Sequence, residues 1–458
     1  MTDSPPSPTG AAALLARAHA LTVEGQMTDA LALVRQALRD DPMSVDSWSD
    51  AGMTALRAGD AVLAAGLLGS YVRMHPRDAK ALARLGFATF ALGDYDTAAD
   101  AARRACALRA DKVGWFVFLG QVARMAGARE ESDASFAAAL ALEPTSPKAR
   151  VDAAMTRVLL GDNERGWREF EEHHRSAMNP RLLSPWQRST DTIWLGDSQP
   201  GRTLVLHHDG GLGDTIVFAR FIPEAASRVE RVLLNVQPRL SRLLSVVPGV
   251  SGFVNDDEQY ADDSWLHCSL WSLPALVGAR PEQLASLVPY LHAPDDGPVL
   301  APRRAKTRVG IAWAGRASYP MDRDRSVPSL DVLAPLFAVP GVEWQSLQVG
   351  EREEEADRFG IPRCRPERDL ADTAAIIAQL DLVITIDSAI ANLAGALGAR
   401  TWLFAETFPE WRWQLDRAES PWYPTVRIFR RRHSREWAAV AAEMTGALRT
   451  LVAARAAE

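Results

Sequence analysis

HHDGGLGDTIVFAR, residues His207 to Arg220, follows the short apolar run Thr203-Leu204-Val205-Leu206 and leads into Thr215 to Phe221, whose apolar residues have helical spacing. A buried strand, a glycine turn and a helix are the local prediction. Gly210, Gly211 and Gly213 allow positive φ and leave no side chain in the way, so that backbone N–H groups at the helix start can approach an anion. Asp214 is expected on the rim of that turn. The spacing is neither a full GxGxxG fingerprint nor a Lys-Ser/Thr phosphate loop. A tight turn at a sheet edge and an anion site therefore both remain open from this stretch alone.

Working toward the amino end, the clearest signal is a repeat. Gly25, Gly59, Gly93, Gly127 and Gly161 recur every 34 residues. Leu14, Trp48, Leu82 and Phe116 keep the same register, as do Gly52, Gly86 and Gly120, Ala30, Ala64 and Ala98, and Pro42, Pro76 and Pro144. Each unit thus predicts two amphipathic helices joined at a glycine and closed by proline. Ala110 stands where proline is expected, and Ser132 and Gly166 replace alanine. The pattern resembles the tetratricopeptide repeat over about residues 11 to 180, a solenoid whose inner surface is expected to hold a peptide or protein. A spacer or dimerisation arm is the competing use of the same architecture. Trp167, Phe170, His173 and His174 in the last unit are candidates for capping the array or docking the next domain.

Toward the carboxyl end the period changes after Asn179-Pro180, and short apolar runs alternate with helical patterns. Strands are predicted at 203–207, 231–236 and 264–268, with helices at 215–228 and 238–247. A proline- and charge-rich break at 289–305 precedes a second series, with strands at 308–314, 342–347, 382–386 and 401–404 and helices at 329–338, 370–380 and 389–398. Strand-helix alternation implies parallel sheets, so two lobes with a cleft at the carboxyl ends of their strands are expected. The domains are then 1–180 (helical repeats), 181–300 (amino lobe) and 301–458 (carboxyl lobe).

The second lobe carries its own candidate turn. Leu382 to Ile386 ends in Asp387-Ser388-Ala389 at a helix start, an arrangement suited to ribose and phosphate, and Asn392 lies one turn further. Helix capping by Asp387 or Ser388 is the alternative role. Arg316, Arg323 and Arg325 follow a strand, where guanidinium forks can grip phosphate, and Gln348 ends another strand. The basic run Arg427 to Arg435 is assigned to the surface.

Composition excludes several classes. A formal charge of −7 argues against nucleic acid as partner. Cys106, Cys268 and Cys364 are far apart, with no CxxC pair, which builds neither a disulfide framework nor a zinc site and fits a reducing compartment. The polar, proline-rich start MTDSPPSPTG lacks the regions of a signal peptide, and no apolar run reaches the roughly 18 residues of a membrane span. A cytoplasmic location is expected.

GLGDTIVFAR, VGIAWAG with DRDRS, SLQVG, DLADTAAIIAQLDLVITIDSAIANLAGALG and WRWQLDRAESPWYP together resemble the transferase region of bacterial tetratricopeptide-repeat glycosyltransferases. Those are two-lobed GT-B enzymes with Rossmann-like halves, similar to heptosyltransferases and, more distantly, to O-linked N-acetylglucosamine transferases. The resemblance implies an inverting transfer from a nucleotide-sugar, bound as substrate by the carboxyl lobe, to an acceptor near the amino lobe, with no cofactor and no obligatory metal. By the same resemblance Asp214 is the candidate base and His207 its rival. Arg323 or Arg325 would neutralise the leaving phosphate, while Gly211, Gly213, Arg316, Gln348, Asp387, Ser388, Ala389 and Asn392 complete the donor site. Heptosyltransferase-like chains usually carry histidine where Asn392 stands, and asparagine cannot become cationic. The expected function is protein O-glycosylation of Ser or Thr on an acceptor held by the repeats, flagellin being one such acceptor. A heptosyltransferase-like enzyme acting on glycolipid or saccharide, and a scaffold with a decayed transferase fold, are the alternatives.

Overall fold

The computed structural model describes residues 10–41, 45–176, 192–255, 264–278, 280–303, 305, 307–316, 322–350, 352–363, 368–406, 410–415, 417–431 and 436–457. Contacts divide the chain into two compact units, residues 1–153 and 154–458. The 180/181 boundary read from sequence does not coincide with this division, which falls inside the ninth helix.

Ten helices among the described residues follow the repeat: α1 (Ala11–Val23), α2 (Met27–Asp40), α3 (Val45–Arg57), α4 (Ala61–Met74), α5 (Ala79–Leu92), α6 (Tyr95–Leu108), α7 (Val113–Met125), α8 (Arg129–Leu142), α9 (Pro147–Leu159) and α10 (Asn163–Ser176). All five period-defining glycines take positive φ, between 78° and 96°, the left-handed conformation that ends the first helix of each pair cheaply only without a side chain. Asp60 and Asp94, one period apart, cap the second helices by accepting from Leu63 N and Thr97 N. Close packing explains the small positions: a Cβ on Gly52 would lie 2.7 Å from Leu68, and one on Gly120 would lie 2.8 Å from the Phe136 ring. Ser132 fits where alanine was expected because its hydroxyl donates to Gly120 O at 2.8 Å.

The second unit contains two parallel sheets. The amino-lobe sheet has the order β3-β2-β1-β4, from β1 (Gln199–His207), β2 (Val229–Asn235), β3 (Val250–Phe253) and β4 (Leu266–Ser269). The carboxyl-lobe sheet runs β6-β5-β7-β8-β9, from β5 (Thr307–Ala312), β6 (Val342–Ser346), β7 (Leu382–Ile386), β8 (Thr401–Ala405) and β9 (Val426–Arg430). In-register partners such as Leu206↔Leu234 and Ile386↔Phe404 bring the strand ends, and hence the loops after them, to one edge of each sheet. The helices that matter below are α11 (Leu212–Ala219), α12 (Ile222–Ala226), α13 (Pro238–Leu244), α14 (Leu370–Ile377), α15 (Ala389–Ala396) and α16 (Trp437–Ala457). Val440, Met444 and Leu448 of α16 join Val309, Ile311, Leu382 and Ile384 in the carboxyl-lobe core.

Several expectations need correction. The helix expected over 215–228 is two helices, α11 and α12, with Pro223 in the first turn of the second. Strand β3 was missed because it is four residues long and follows Pro248-Gly249. Strand β9 lies in the basic run assigned to the surface: Arg427 is exposed, but Val426, Ile428 and Phe429 are buried, so the charges hid a strand. The helix expected over 329–338 is a 3₁₀ turn, Leu330–Leu333, continued by Ala334–Phe337.

Candidate functional site

The glycine turn after β1 is built on proximity rather than on unusual dihedrals. None of Gly210, Gly211 and Gly213 takes a positive φ, so the conformational freedom that glycine allows there is not used. Their role is space: a Cβ on Gly210 would fall 2.5 Å from Asp214 Oδ2, and one on Gly213 would fall 2.8 Å from Asn392 Nδ2. Asp214 is the third residue of α11. Its Oδ2 accepts from Gly211 N at 2.9 Å, so half of the carboxylate closes its own helix end.

The other half crosses to the carboxyl lobe. Asp214 Oδ1 accepts from a guanidinium nitrogen of Arg412 at 2.6 Å. Arg412 sits in the 3₁₀ turn Trp411–Trp413, 4% exposed, with its plane over the Trp411 ring at 4.6 Å. A second guanidinium nitrogen donates to Asn392 Oδ1 at 3.3 Å, while its Nε has no partner among the described residues. Desolvation disfavours the buried cation, and Asp214 and Asp387 oppose that penalty enough that its pKa is raised. Arginine in this setting stays charged.

Asn392 is spent internally. Its Nδ2 donates to Ser388 O at 3.0 Å, and its Oδ1 also accepts from Tyr423 Oη at 3.1 Å. Burial holds the Tyr423 phenol protonated, well above the usual tyrosine range. Tyr423 in turn lies 3.3 Å from Tyr290 Oη, which donates to Ile216 O and receives from Arg220. Arg220, at the end of α11, also donates to Trp422 O at 2.9 Å. A continuous polar chain therefore ties the first lobe's glycine-turn helix to the second lobe's.

Asp387 and Ser388 end β7 at the start of α15. Asp387 is buried with Oδ2 unpartnered among the described residues, and burial pushes its pKa up against the pull of Arg412. Ser388 occupies the N-cap without a side-chain capping bond; its hydroxyl lies 3.3 Å from that of Thr385. Capping is thus not what Ser388 does, and the first amides of α15, from Ala389 on, have no side-chain cap. Next along the sheet edge, Glu406 follows β8. Burial pushes its pKa well above the usual range, Asp387 adds to the effect, and Oε2 has no partner among the described residues.

Arg325 completes the ring of charge. Its Nε donates to Asp322 Oδ1 at 3.0 Å, and its cation favours the ionised forms of both Asp387 and Glu406. Gly315 leaves room for this pair, since a Cβ there would lie 2.5 Å from the arginine's terminal nitrogen and closer still to Asp322 Oδ1. Arg316 is exposed. The side chain of Arg323 lies outside the described residues, as do Cys364 and the side chains of His173 and His174.

Two sequence candidates have other tasks. Gln348 Oε1 accepts from the amides of Trp313 and Ala314 at 3.0 Å each, and its Nε2 donates to Ala314 O. Its amide pins the loop after β5 and has little left for a ligand. His207 is buried, with Nε2 2.9 Å from His267 Nδ1 and the rings stacked. The structure bonds Asp214 and Asn392 to Arg412 and sets Asp387 within reach of its charge and of that of Arg325, with Ser388 the next residue; it pairs His207 with His267 instead. Arg412, Glu406, Tyr423 and Arg220 were missed, because the stacking of Arg412 on Trp411 and its burial arise only in the folded chain.

A second bridge between lobes lies on α13, where Arg242 grips Asp369 with two bonds of 2.8 and 3.0 Å and also reaches Asp296 and Asp372. Trp167 and Phe170 of α10 are buried as expected of docking residues: Trp167 packs edge-on against Phe218, Trp411 and Trp422.

No protein-family model matches the chain. Over 482 residues it is 26% identical to Protein FlbA of Caulobacter vibrioides, covering 95% of this chain and 72% of FlbA. Among solved structures, MamA MSR-1 is 19% identical and matches 36% of this chain and 95% of its own, with a TM-score of 0.33. TTC0263, a thermophilic TPR protein of Thermus thermophilus, is 20% identical and matches 38% and 95%, with a TM-score of 0.31. The helical array is tetratricopeptide-like. Its 34-residue helix pairs with left-handed glycines carry that conclusion.

No group of three or more His, Cys, Asp or Glu side chains among the described residues could hold a metal ion. No described helix is long and apolar enough to cross a membrane. Chemically, the arrangement offers one carboxylate at an open rim, one buried guanidinium, two buried acids that resist ionisation, and the uncapped start of α15.

Proposed function

We propose that the chain is an inverting GT-B glycosyltransferase that moves a sugar from a nucleotide-sugar to a Ser or Thr hydroxyl of a protein acceptor. One observation carries the reading. Asp214, from the strand-end turn of one parallel sheet, and Asp387-Ser388, from the strand-end turn of the other, converge on Arg412. Ligands of open α/β sheets bind at the carboxyl ends of strands, and here two such ends face a common charge cluster. The phosphates of the donor would lie at the start of α15 near Arg325 and Arg412. The acceptor oxygen would attack the anomeric carbon as the carbon–oxygen bond to phosphate breaks. The electron pair would leave with the nucleotide and the hydroxyl proton would pass to Asp214.

The repeats would present the acceptor, flagellin or another surface-structure subunit being the candidate, in the cytoplasm. Thermal-shift measurements with UDP-, ADP-, GDP- and CMP-sugars test the donor site, because a ligand that binds only the folded state raises the melting temperature. Intact-mass analysis of candidate acceptors, with wild type against Asp214→Asn, tests transfer. Modification that persists undiminished with Asp214→Asn would remove Asp214 from its role as base.

A second reading is favoured by the full internal commitment of Asn392 and by the ion pair on Asp214: a repeat scaffold on a transferase fold that no longer turns over. A chain stabilised by none of the nucleotides would be that scaffold.

A further inference from the structure

Arg412 and Asp214 form a pair of unequal exposure. The Asp214 side chain is 21% exposed and that of Arg412 5%, so solvent and solutes reach the pair from the carboxylate side. Asp214 also has a second anchor in Gly211 N, which would keep it at the turn if the arginine let go. Arg412, for its part, has an Nε without a partner among the described residues and a nitrogen given to Asn392, a neutral acceptor. A buried guanidinium with an unused donor can bond more strongly than it does with one carboxylate oxygen.

We propose that Arg412 is a phosphate-binding residue held in reserve by Asp214, and that an arriving nucleotide phosphate takes over the guanidinium and thereby frees the Asp214 carboxylate. This rests on the donor-site reading above and adds an order of events to it. Without nucleotide, Asp214 is tied to a cation, which draws charge from the carboxylate and makes it a weaker acceptor of a hydroxyl proton. With a phosphate on Arg412, repulsion between the two anions turns Asp214 toward the acceptor. Acceptor deprotonation then depends on the donor being in place. Phosphate is the better partner for the fork here, since its oxygens can bridge two guanidinium nitrogens where Asp214 engages one. The uncapped start of α15 lies beside Ser388 and adds N–H groups on the same side.

Competition makes a prediction of unusual sign. In the full-length chain, calorimetric titration with UDP, ADP, GDP and CMP should find at least one binder. Asp214→Asn, which removes the competing anion, should bind that nucleotide about tenfold more tightly. Arg412→Gln should weaken it by about tenfold or more, and Arg412→Lys, which keeps charge without the fork, should fall between Arg412→Gln and wild type. The gain from Asp214→Asn should vanish in the Arg412→Gln background, because the two changes act on one bond. Unchanged or weaker binding by Asp214→Asn, with its melting transition intact, would overturn the exchange while leaving the donor site standing. A gain that survives in the Arg412→Gln background would overturn it too, as a general relief of negative charge. If no nucleotide binds wild type or Asp214→Asn, the donor-site reading falls and the exchange with it.

Discussion

Gly213 and Asn392 are so close that a single methyl group on the glycine would sit 2.8 Å from the asparagine's Nδ2. The first turns of α11 and α15, one from each lobe, are thereby in direct contact, and Asp214 is the next residue along. Gly213→Ala should wedge them apart. Overpacking of this kind costs about 1–3 kcal/mol, and urea unfolding would read it. The same substitution should lengthen the Asp214–Arg412 contact and weaken any nucleotide binding that depends on it.

Asn392→His introduces the residue that the resemblance to heptosyltransferases would lead one to expect, and here it should damage rather than improve the protein. The asparagine is fully buried and its amide bonds to Ser388 O, Tyr423 and Arg412 are replaced poorly by a larger ring. We expect a loss of about 2 kcal/mol or more, from crowding against Gly213 and a stranded Tyr423 hydroxyl. A variant as stable as wild type would mean that the asparagine network is dispensable.

Trp167 belongs to a repeat helix by sequence and to the second unit by packing, being buried among Phe218, Trp271, Trp411 and Trp422. Trp167→Ala should cost about 3–5 kcal/mol and, by loosening Trp411, disturb Arg412 as well. A truncation that begins at residue 181 removes Trp167 and should aggregate. One that begins at residue 147 keeps α9 and α10, with Arg157 still paired to Glu169, and should give a cooperative melt.

The His207–His267 pair predicts acid sensitivity. Burial lowers the His267 pKa from its ordinary 6.5 to about 4. Between those values the unfolded chain binds a proton that the folded chain refuses, so this stability is fully present above 6.5 and is lost as pH falls toward 4. The loss is on the order of 2–3 kcal/mol. Replacing the imidazole in His267→Gln should flatten the decline measured by urea unfolding between about pH 7 and pH 4.5. An equally steep decline in that variant would place the acid sensitivity elsewhere.

Ser388→Ala separates capping from binding. Because the hydroxyl makes no capping bond, the substitution should change stability by no more than about 0.5 kcal/mol, against the roughly 1 kcal/mol that a lost cap costs. Nucleotide affinity should fall if the uncapped start of α15 receives phosphate. A loss of stability with affinity unchanged would return Ser388 to a structural role.

The chain's local periods determined most of its architecture. Glycines spaced by 34 residues, each followed by an apolar stripe, specify helix pairs because turn conformation and one-sided burial are decided within a few residues. Short β-branched runs ending at Asp387 or at the Gly210 turn likewise specify strands with loops at their carboxyl ends. What the local pattern could not state is who meets whom. Asp214 and Arg412 are 198 residues apart, and no spacing links them; only the closing of one lobe on the other makes them an ion pair. The same holds for Gln348, whose place at a strand end suggested a ligand contact until folding supplied backbone partners, and for Arg427, whose charge concealed the buried side of β9. Secondary structure follows from neighbours in sequence, whereas the protonation, pairing and exposure of a side chain follow from neighbours in space, and those exist only once the chain has folded.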